Sequence, residues 1–578
     1  MAGPPEPFRS SVDGGVFTAV LDTPGCDVNI FSQEAALQLL ELTRAAREGG
    51  AEAFVLRSSK PGSFINGVGL MMASTVRRPE DVGELTEVIR AAYRALEDLP
   101  MPTIAAVQGN CFGCGVELSL RCDHRVAERS WDTQFYMTEV ADYLFVPCFG
   151  GTQHLPRLLG LEKATDFLLW GERWSADAAR QHGLVDDCFE AEGFDAELAG
   201  FLDAVRTARR TPRPRGPRFG PAEETLEKRT DACIEALPES YQPVYRACFD
   251  RMLRGARADV LEAADFEEER LAAGRSVGTE QSKSAQSFFF IRQLAERRTL
   301  RHAPVDEPRR LRLEGLAEVA AEMRRRRVRN VTVTVTEGTA GEGGLHLAPY
   351  AHPSASDAKL ALEPVRGPID WSAEVIAYAP WWGREPSFVE VAVRNDESLP
   401  AASLLADILA RSGFVPILSR PERRFAVEGL IDAFLAPLHA YVEQGGTPER
   451  AERALRSFGF LRSLAALAEH GGSRLAPARE PSCAARADAQ LVDAVLVSLL
   501  AFVRGARRRG VLSHPSLADL AAREVLDFPL GRGSLCRYLT PSRVADLLER
   551  RAGIAPFVPP PTLETAERYV TEGESFYR

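Results

Sequence analysis

Residues 102–127, PTIAAVQGNCFGCGVELSLRCDHRVA, decide how the first third of the chain is built. Thr103–Gln108 is a continuous apolar run bounded by Pro102 and Gly109, which predicts a buried strand. A turn containing Gly113 and Gly115 follows, and an apolar helix begins near Cys114. The first N–H groups of a helix lack intrahelical partners, and the macrodipole favours negative charge there. Such a turn suits a developing oxyanion. Glu117 lies one turn into that helix among Val116, Leu118 and Leu120, where a carboxylate is either hydrogen-bonded or functional. Glu139, flanked by Met137 and Val140, is a second acid. Two carboxylates beside one anion site make a general acid/base pair. The plain alternative is a turn that is only a turn, with solvated glutamates. The pattern alone leaves both open.

Outward from this stretch, the first 190 residues alternate strands with amphipathic helices. Val16–Leu21 and Ala53–Arg57 read as strands, and Gln33–Arg47 and Asp81–Leu99 as helices with apolar residues at 3.6 spacing. The Pro- and Arg-rich TARRTPRPRGPRFGP (207–221) reads as an exposed linker, and residues 222–302 are helical and charged. Leu311–Leu313, Leu316–Arg327 and Val331–Thr336 read as strand, helix and strand. VTVTVT alternates strictly, so it does not lie at the centre of a doubly covered sheet. Glu374–Tyr378 and Phe388–Val393 are further strands, and from 400 onward nearly everything reads as helical.

The chain has 578 residues, 45% hydrophobic and 26% charged, which predicts several globular domains at roughly 100–200 residues each. Net charge is 70 − 81 = −11, against general nucleic-acid binding. No apolar run reaches the ~18 residues of a membrane span. The opening MAGPPEPFRSSVDGG lacks the n- and h-regions of a secretory signal. Ten cysteines in mostly apolar segments read as reduced thiols. A cytoplasmic protein is expected. Only five of the 70 basic residues are lysines, a bias attributed to a GC-rich, bacterial genome. Cys111, Cys114, Cys122 and His124 superficially resemble metal ligands. On one helix, though, Cys122 would lie about 12 Å from Cys114 at ~1.5 Å per residue, too far for one ion.

Three segments, SSKPGSFINGVGL (58–70), residues 102–127 and TQFYMTEVADYLFVPCFGGTQHLPRLLG (133–160), resemble the crotonase (enoyl-CoA hydratase/isomerase) superfamily. SSKPGSFI specifically resembles the α-subunits of fatty-acid β-oxidation multienzymes, and SADAARQHGLVDD (175–187) continues the match. The resemblance implies a ββα spiral that binds an acyl-CoA thioester. It implies an oxyanion hole from the backbone N–H groups of Val68 and Cys114, with Asn66, Gly67, Gly113 and Gly115 as weaker substrate-binding positions. Glu117 and Glu139 match the two hydratase glutamates; in the family the first activates water and the second supplies the α-proton. The family's Gly-Ala-Asp is here Gly67-Val68-Gly69, its middle turn glycine is Cys114, and its proline before the second acid is Thr138. These departures bear on pocket shape. At a helix N-terminus the Cys114 thiol pKa is expected to fall.

The resemblance continues to the chain's end in the order of those multienzymes. Arg310–Glu337 takes the place of the dinucleotide-binding unit of a 3-hydroxyacyl-CoA dehydrogenase, and TPERAERALRSFGF (447–460) and TLETAERYVTEGESFY (562–577) match its helical units. A Rossmann turn needs G-x-G-x-x-G, but Glu314–Ala320 holds one glycine and two glutamates. Glu337 matches the ribose-binding acid. The family's catalytic histidine maps to Tyr378 and its asparagine to Glu428; only Glu390 is retained. The dehydrogenase is therefore expected to be inactive, with no NAD bound and no metal.

The expected architecture is α/β: a crotonase-like acyl-CoA domain (1–190), a helical extension and linker (191–305), a truncated, degenerate Rossmann-like domain (306–420), and two helical C-terminal units (421–475 and 476–578). The first functional reading is an enoyl-CoA hydratase. The second is a Δ3,Δ2-enoyl-CoA isomerase, which needs one base. The third is a scaffold docking a thiolase-like partner. A homo-oligomer and a specialised biosynthetic pathway also fit the resemblance.

Overall fold

The computed structural model describes residues 6–130, 132–207, 216, 219–299, the strand segments 309–314, 331–336, 345–348, 357–362, 375–379 and 388–393, then 395–397, 399–411, 414–421, 425–460, 464, 467 and 486–577. The chain divides into two compact units, Met1–Gln286 and Ser287–Arg578.

In the first unit, β1 (Phe8–Asp13), β2 (Val16–Leu21), α1 (Gln33–Glu48), β3 (Ala53–Ser58), β4 (Ser63–Ile65), α2 (Leu70–Thr75), α3 (Asp81–Glu97), β5 (Thr103–Val107), β6 (Asn110–Phe112), α4 (Cys114–Ser119), β7 (His124–Arg129), β8 (Gln134–Tyr136), α5 (Glu139–Tyr143), α6 (Gly151–Leu159), α7 (Leu161–Ala164), β9 (Trp174–Ser175), α8 (Ala176–His182), β10 (Asp187–Glu190) and α9 (Phe194–Arg206) follow in order. The strands form two sheets, β1-β2-β3-β5-β7-β10 and β4-β6-β8-β9. Strands β3, β5 and β7 each feed a short strand of the second sheet, so successive turns of the chain advance as a ββα spiral. From β2 to β10 the first sheet is parallel. Its central strand β5 is buried at all five positions, as expected of a parallel strand covered on both faces. One cover is α9, whose Phe194, Leu198, Phe201 and Val205 pack on Val55, Ile104, Ala106 and Val126.

Four helices continue the chain: α10 (Pro221–Glu235), α11 (Gln242–Arg257), α12 (Ala263–Val277) and α13 (Glu280–Thr299). The first compact unit takes in α10 to α12, which the sequence reads as an extension. Helix α12 passes so close to the loop before α3 that a Cβ on Gly274 would lie 2.3 Å from the Pro79 carbonyl oxygen. The expected linker at 207–221 lies mostly outside the described residues. Helix α4 is shorter than the sequence pattern implies, because Asp123 is tied back to β5 by the Thr103 N–H and hydroxyl at 3.0 and 3.1 Å.

Among its described residues the second unit carries seven strands, β11 (Arg309–Glu314), β12 (Val331–Thr336), β13 (Leu345–Ala348), β14 (Asp357–Leu362), β15 (Val375–Ala379), β16 (Phe388–Val393) and β17 (Val415–Ser419), with α14 (Leu399–Arg411) between the last two. Their order is β12-β11-β13-β14-β15-β16-β17. The alternating VTVTVT strand, β12, is an edge. The sheet is mixed: β13 runs antiparallel to β11 and β14, and β15 antiparallel to β16. A Rossmann-like domain is not what these pairings describe, since a doubly wound sheet is essentially parallel. The short connections after β13 and β15 leave no room for a parallel crossover, which takes a dozen or more residues. The expected helix at 316–327, the glycine-poor turn at 315–320 and Glu337 lie outside the described residues. Helices follow, among them α15 (Ala426–Glu443), α16 (Pro448–Phe458) and α17 (Arg486–Arg508). Among the described residues, no helix is long and apolar enough to cross a membrane.

Candidate active site

The site is assembled at the turn between β6 and α4. Gly113, the residue before the helix, has φ 51° and ψ −117°, a conformation that L side chains rarely adopt. A Cβ there would lie 2.4 Å from Glu139 Oε1. Gly115 is constrained by packing, because a Cβ on it would meet the Ile65 carbonyl oxygen at 2.6 Å. That close approach brings the turn after β4 beside α4. Gly67 of that turn has φ 108°, and Asn66 Oδ1 accepts a 2.7 Å bond from Ser63 Oγ.

Val68, Cys114, Glu117 and Glu139 line one small cavity of about 60 Å³. The rest of its wall is mostly apolar, including Met72 and Ala73 of α2, Val82 and Leu85 of α3, and Phe145 and Phe149, with Thr86 as a polar exception. Asn66, Gly67, Gly113 and Gly115 are not among the lining residues; they shape the turns behind them. Cys114 is the first residue of α4, so its N–H has no partner within the helix. Behind it, the buried Tyr93 hydroxyl donates to the Cys114 carbonyl at 2.7 Å.

Both acids are buried, Glu117 at 1% and Glu139 at 8% exposure. Glu117 Oε1 accepts bonds from the N–H groups of Phe149 and Gly151 at 3.0 and 2.8 Å. Its Oε2 and the Oε2 of Glu139 are buried without hydrogen-bond partners among the described residues. Burial raises the pKa of Glu117 well above the usual carboxylate range; the charges of Glu139 and Glu269 add to this, and the two amides oppose it. Burial raises Glu139 as well. Two acids in one largely apolar cavity do not both ionise readily, so the pair favours a state that holds one proton.

The Cys114 thiol corrects an expectation. Its pKa is raised rather than lowered, by burial first and then by the charges of Glu117 and Glu139. The helix terminus acts on a thiol that is 2% exposed and faces two carboxylates, so desolvation outweighs the dipole.

Sequence reasoning gave α12 no functional role, yet it forms part of the site. Ala273 and Val277 line the cavity, and Ser276 Oγ accepts from the Val146 N–H at 3.0 Å. Glu269, fully buried, accepts from the N–H groups of Gly150 and Thr152. The signal is faint but legible: Glu269, Ala272, Ala273, Ser276 and Val277 recur at i, i+3, i+4, i+7 and i+8, the spacing of a buried stripe. Nearby, Lys283 Nζ donates to the Ala73 and Ser74 carbonyls at the end of α2, at 2.8 and 3.1 Å.

In the second unit, Glu390 of β16 is fully buried but engaged in holding a helix. It accepts from Ser419 Oγ at 2.5 Å and from the Ala426 and Val427 N–H groups at 2.7 and 2.8 Å, at the start of α15. Burial pushes its pKa up to about 7. Glu428 accepts from the Phe425 N–H at 3.2 Å, so it too caps α15. Residue 378 stands opposite Glu390 in the ladder between β15 and β16.

Residues 13–204, about a third of the chain, match the enoyl-CoA hydratase/isomerase family. The chain is 29% identical over 291 residues to the fatty acid oxidation complex subunit alpha of Shewanella loihica, covering 48% of this chain and 40% of that one. It is 35% identical over 170 residues to the subunit of the same name from Vibrio cholerae, covering 29% and 24%. The matches therefore span less than half the length of these curated relatives. Among solved structures, a putative enoyl-CoA hydratase from Streptomyces avermitilis is 21% identical, with a TM-score of 0.36, covering 50% of this chain and 92% of that one. Pseudomonas aeruginosa DspI is 28% identical, with a TM-score of 0.32, covering 37% and 84%. The resemblance thus rests on sequence: the chain resembles the crotonase superfamily through its first unit, and the α-subunit of the fatty acid oxidation complex over a longer stretch.

Proposed function

We propose that the first unit hydrates the 2,3 double bond of an enoyl thioester. The observation that carries this reading is the pair of carboxylate oxygens, Glu117 Oε2 and Glu139 Oε2, that have no hydrogen-bond partner among the described residues and belong to side chains lining one mostly apolar cavity. In the proposed step the pair holds one proton, kept on Glu139 because the Phe149 and Gly151 N–H groups favour the charged form of Glu117, and ionised Glu117 takes a proton from water as the water oxygen bonds to C3. The electron pair of the double bond moves onto the thioester oxygen, which the Val68 and Cys114 N–H groups hold. Protonated Glu139 then delivers its proton to C2 as the thioester carbonyl re-forms. One proton enters and one leaves the carboxylate pair, so its net charge is unchanged, and transfer of a proton from Glu117 to Glu139 restores the starting state. Retention of both acids favours hydration over isomerisation, which needs one base. Incubation with a panel of enoyl-CoA and enoyl carrier-protein thioesters tests this. Formation of 3-hydroxyacyl thioesters supports it; double-bond migration alone makes the protein an isomerase.

We further propose that dehydrogenase chemistry is lost. Glu390 and Glu428, at positions where the resemblance places catalytic groups, serve as caps of α15. The turn Glu314–Ala320 carries two glutamates where the fingerprint needs glycines to approach pyrophosphate. Calorimetry with NAD and NADH is expected to show no saturable heat at millimolar cofactor; a micromolar dissociation constant overturns this reading. Such a half is available to dock a thiolase-like partner, as the resemblance implies.

A further inference from the structure

Four consecutive amides at the head of α6 are divided between two carboxylates from different parts of the chain. Phe149 and Gly151 donate to Glu117 Oε1, at 3.0 and 2.8 Å. Gly150 and Thr152 donate to Glu269, the first to Oε2 at 2.7 Å and the second to Oε1 at 2.9 Å. The Thr152 hydroxyl adds a 2.5 Å bond to Oε1. The donors alternate strictly, so one turn of backbone carries both acids. The turn is also conformationally demanding, with φ 104° at Gly150. A Cβ on Gly150 would lie 2.4 Å from Arg121 Nη2, whose guanidinium donates to the Phe149 carbonyl at 2.6 Å. Glu269 itself does not line the cavity, and the hydration step makes no use of it.

We propose that Glu269 is a positioning residue for Glu117: by holding the alternate amides it fixes the 149–152 turn, which anchors Glu117 Oε1 and leaves Oε2 available to a cavity water. Helix α12 is thereby a working part of the site, since it supplies this anchor together with Ala273 and Val277 of the cavity wall. The proposal rests on the hydratase reading for its catalytic meaning and on the hydrogen bonds for its structural content. A buried amide left without an acceptor relaxes toward another partner. A misplacement of ~1 Å at a reacting group costs on the order of 10²-fold in rate.

The test is Glu269→Gln, which keeps the side-chain shape but replaces one acceptor oxygen with a donor, so one of the three donors loses its partner. The expected result is kcat for hydration lowered ~10- to 100-fold, with KM changed by less than about threefold. Thr152→Val, which removes the hydroxyl's bond to Glu269 and the one it accepts from Gln153 Nε2 and keeps the helix, is the second variant, with an expected loss of several-fold in kcat. By hydrogen exchange with mass spectrometry, amides 149–152 of Glu269→Gln should exchange ~10-fold faster than in the unsubstituted protein. Exchange in β5 should stay unchanged. Unaltered kcat in Glu269→Gln overturns the proposal. So does unaltered exchange at 149–152, or a rate loss in Thr152→Val that only tracks its unfolded fraction. Should the unsubstituted protein hydrate no thioester, the function proposed above fails, while the exchange comparison still decides whether Glu269 fixes the turn.

Discussion

Replacing either Glu117 or Glu139 with glutamine is expected to lower kcat for enoyl-thioester hydration by ~10²-fold or more, the usual contribution of a positioned acid or base. The two variants fail for different reasons. In Glu117→Gln the new amide retains an oxygen for the Phe149 and Gly151 N–H groups, so the turn holds while the proton acceptor is gone. Glu139→Gln keeps the side-chain volume but supplies no acidic proton to C2. Neither variant should unfold the protein. A carboxyl whose folded pKa lies above its unfolded value contributes stability that is fully present below the unfolded value. That contribution is lost as pH rises through the folded one. Both acids are shifted upward from an ordinary 4.5, so at neutral pH the neutral amide is expected to melt at or above the unsubstituted protein. Thermal melts beside steady-state kinetics check both halves. Full hydratase activity in Glu139→Gln would show that the two-carboxylate assignment is wrong.

The second large effect is expected at Gly113→Ala. Alanine meets two obstacles at once. The backbone there has φ 51° with ψ −117°, and the new methyl would lie 2.4 Å from Glu139 Oε1 and 3.3 Å from Thr138 Oγ1. Backbone strain of this kind costs on the order of 1–3 kcal/mol. The clash cannot be relieved without moving Glu139 or the N-terminus of α4, and α4 carries the Cys114 N–H. Turnover is therefore expected to fall ~10²-fold or more, as a misplacement near 1 Å implies, with a lowered melting temperature. If Gly113→Ala turns over at the unsubstituted rate, neither the turn nor Glu139 takes part in the reaction.

Much of the first unit was legible from residues alone. Val16–Leu21 is a strand as read, and Thr103–Val107 is the buried strand its apolar run predicts. Glu117 and Glu139 stand out by their apolar sequence context, but the residues alone leave open whether they work together; the resemblance to the crotonase superfamily is what pairs them. Glu269 could not be chosen so easily. It stands in Glu267-Glu268-Glu269, and only the fold separates the three: Glu267 pairs with Arg270 and Arg90, Glu268 lies near Arg251, and Glu269 turns inward. The Cys114 thiol was misjudged because the helix-terminus rule assumes a solvated group, whereas burial and two facing acids set its ionisation. The second sheet was misjudged for a different reason. Apolar periodicity marks strands such as Val331–Thr336 and Phe388–Val393 but says nothing of their direction, which the connection lengths decide.

The most direct test is to incubate the protein with 2-enoyl thioesters in ¹⁸O-labelled water and analyse the products by mass spectrometry. Hydration predicts a 3-hydroxyacyl thioester carrying one ¹⁸O from solvent, formed by the unsubstituted protein and ~10²-fold more slowly by Glu117→Gln. Recovery of every enoyl thioester unchanged, or conversion only to double-bond isomers without ¹⁸O, would contradict it.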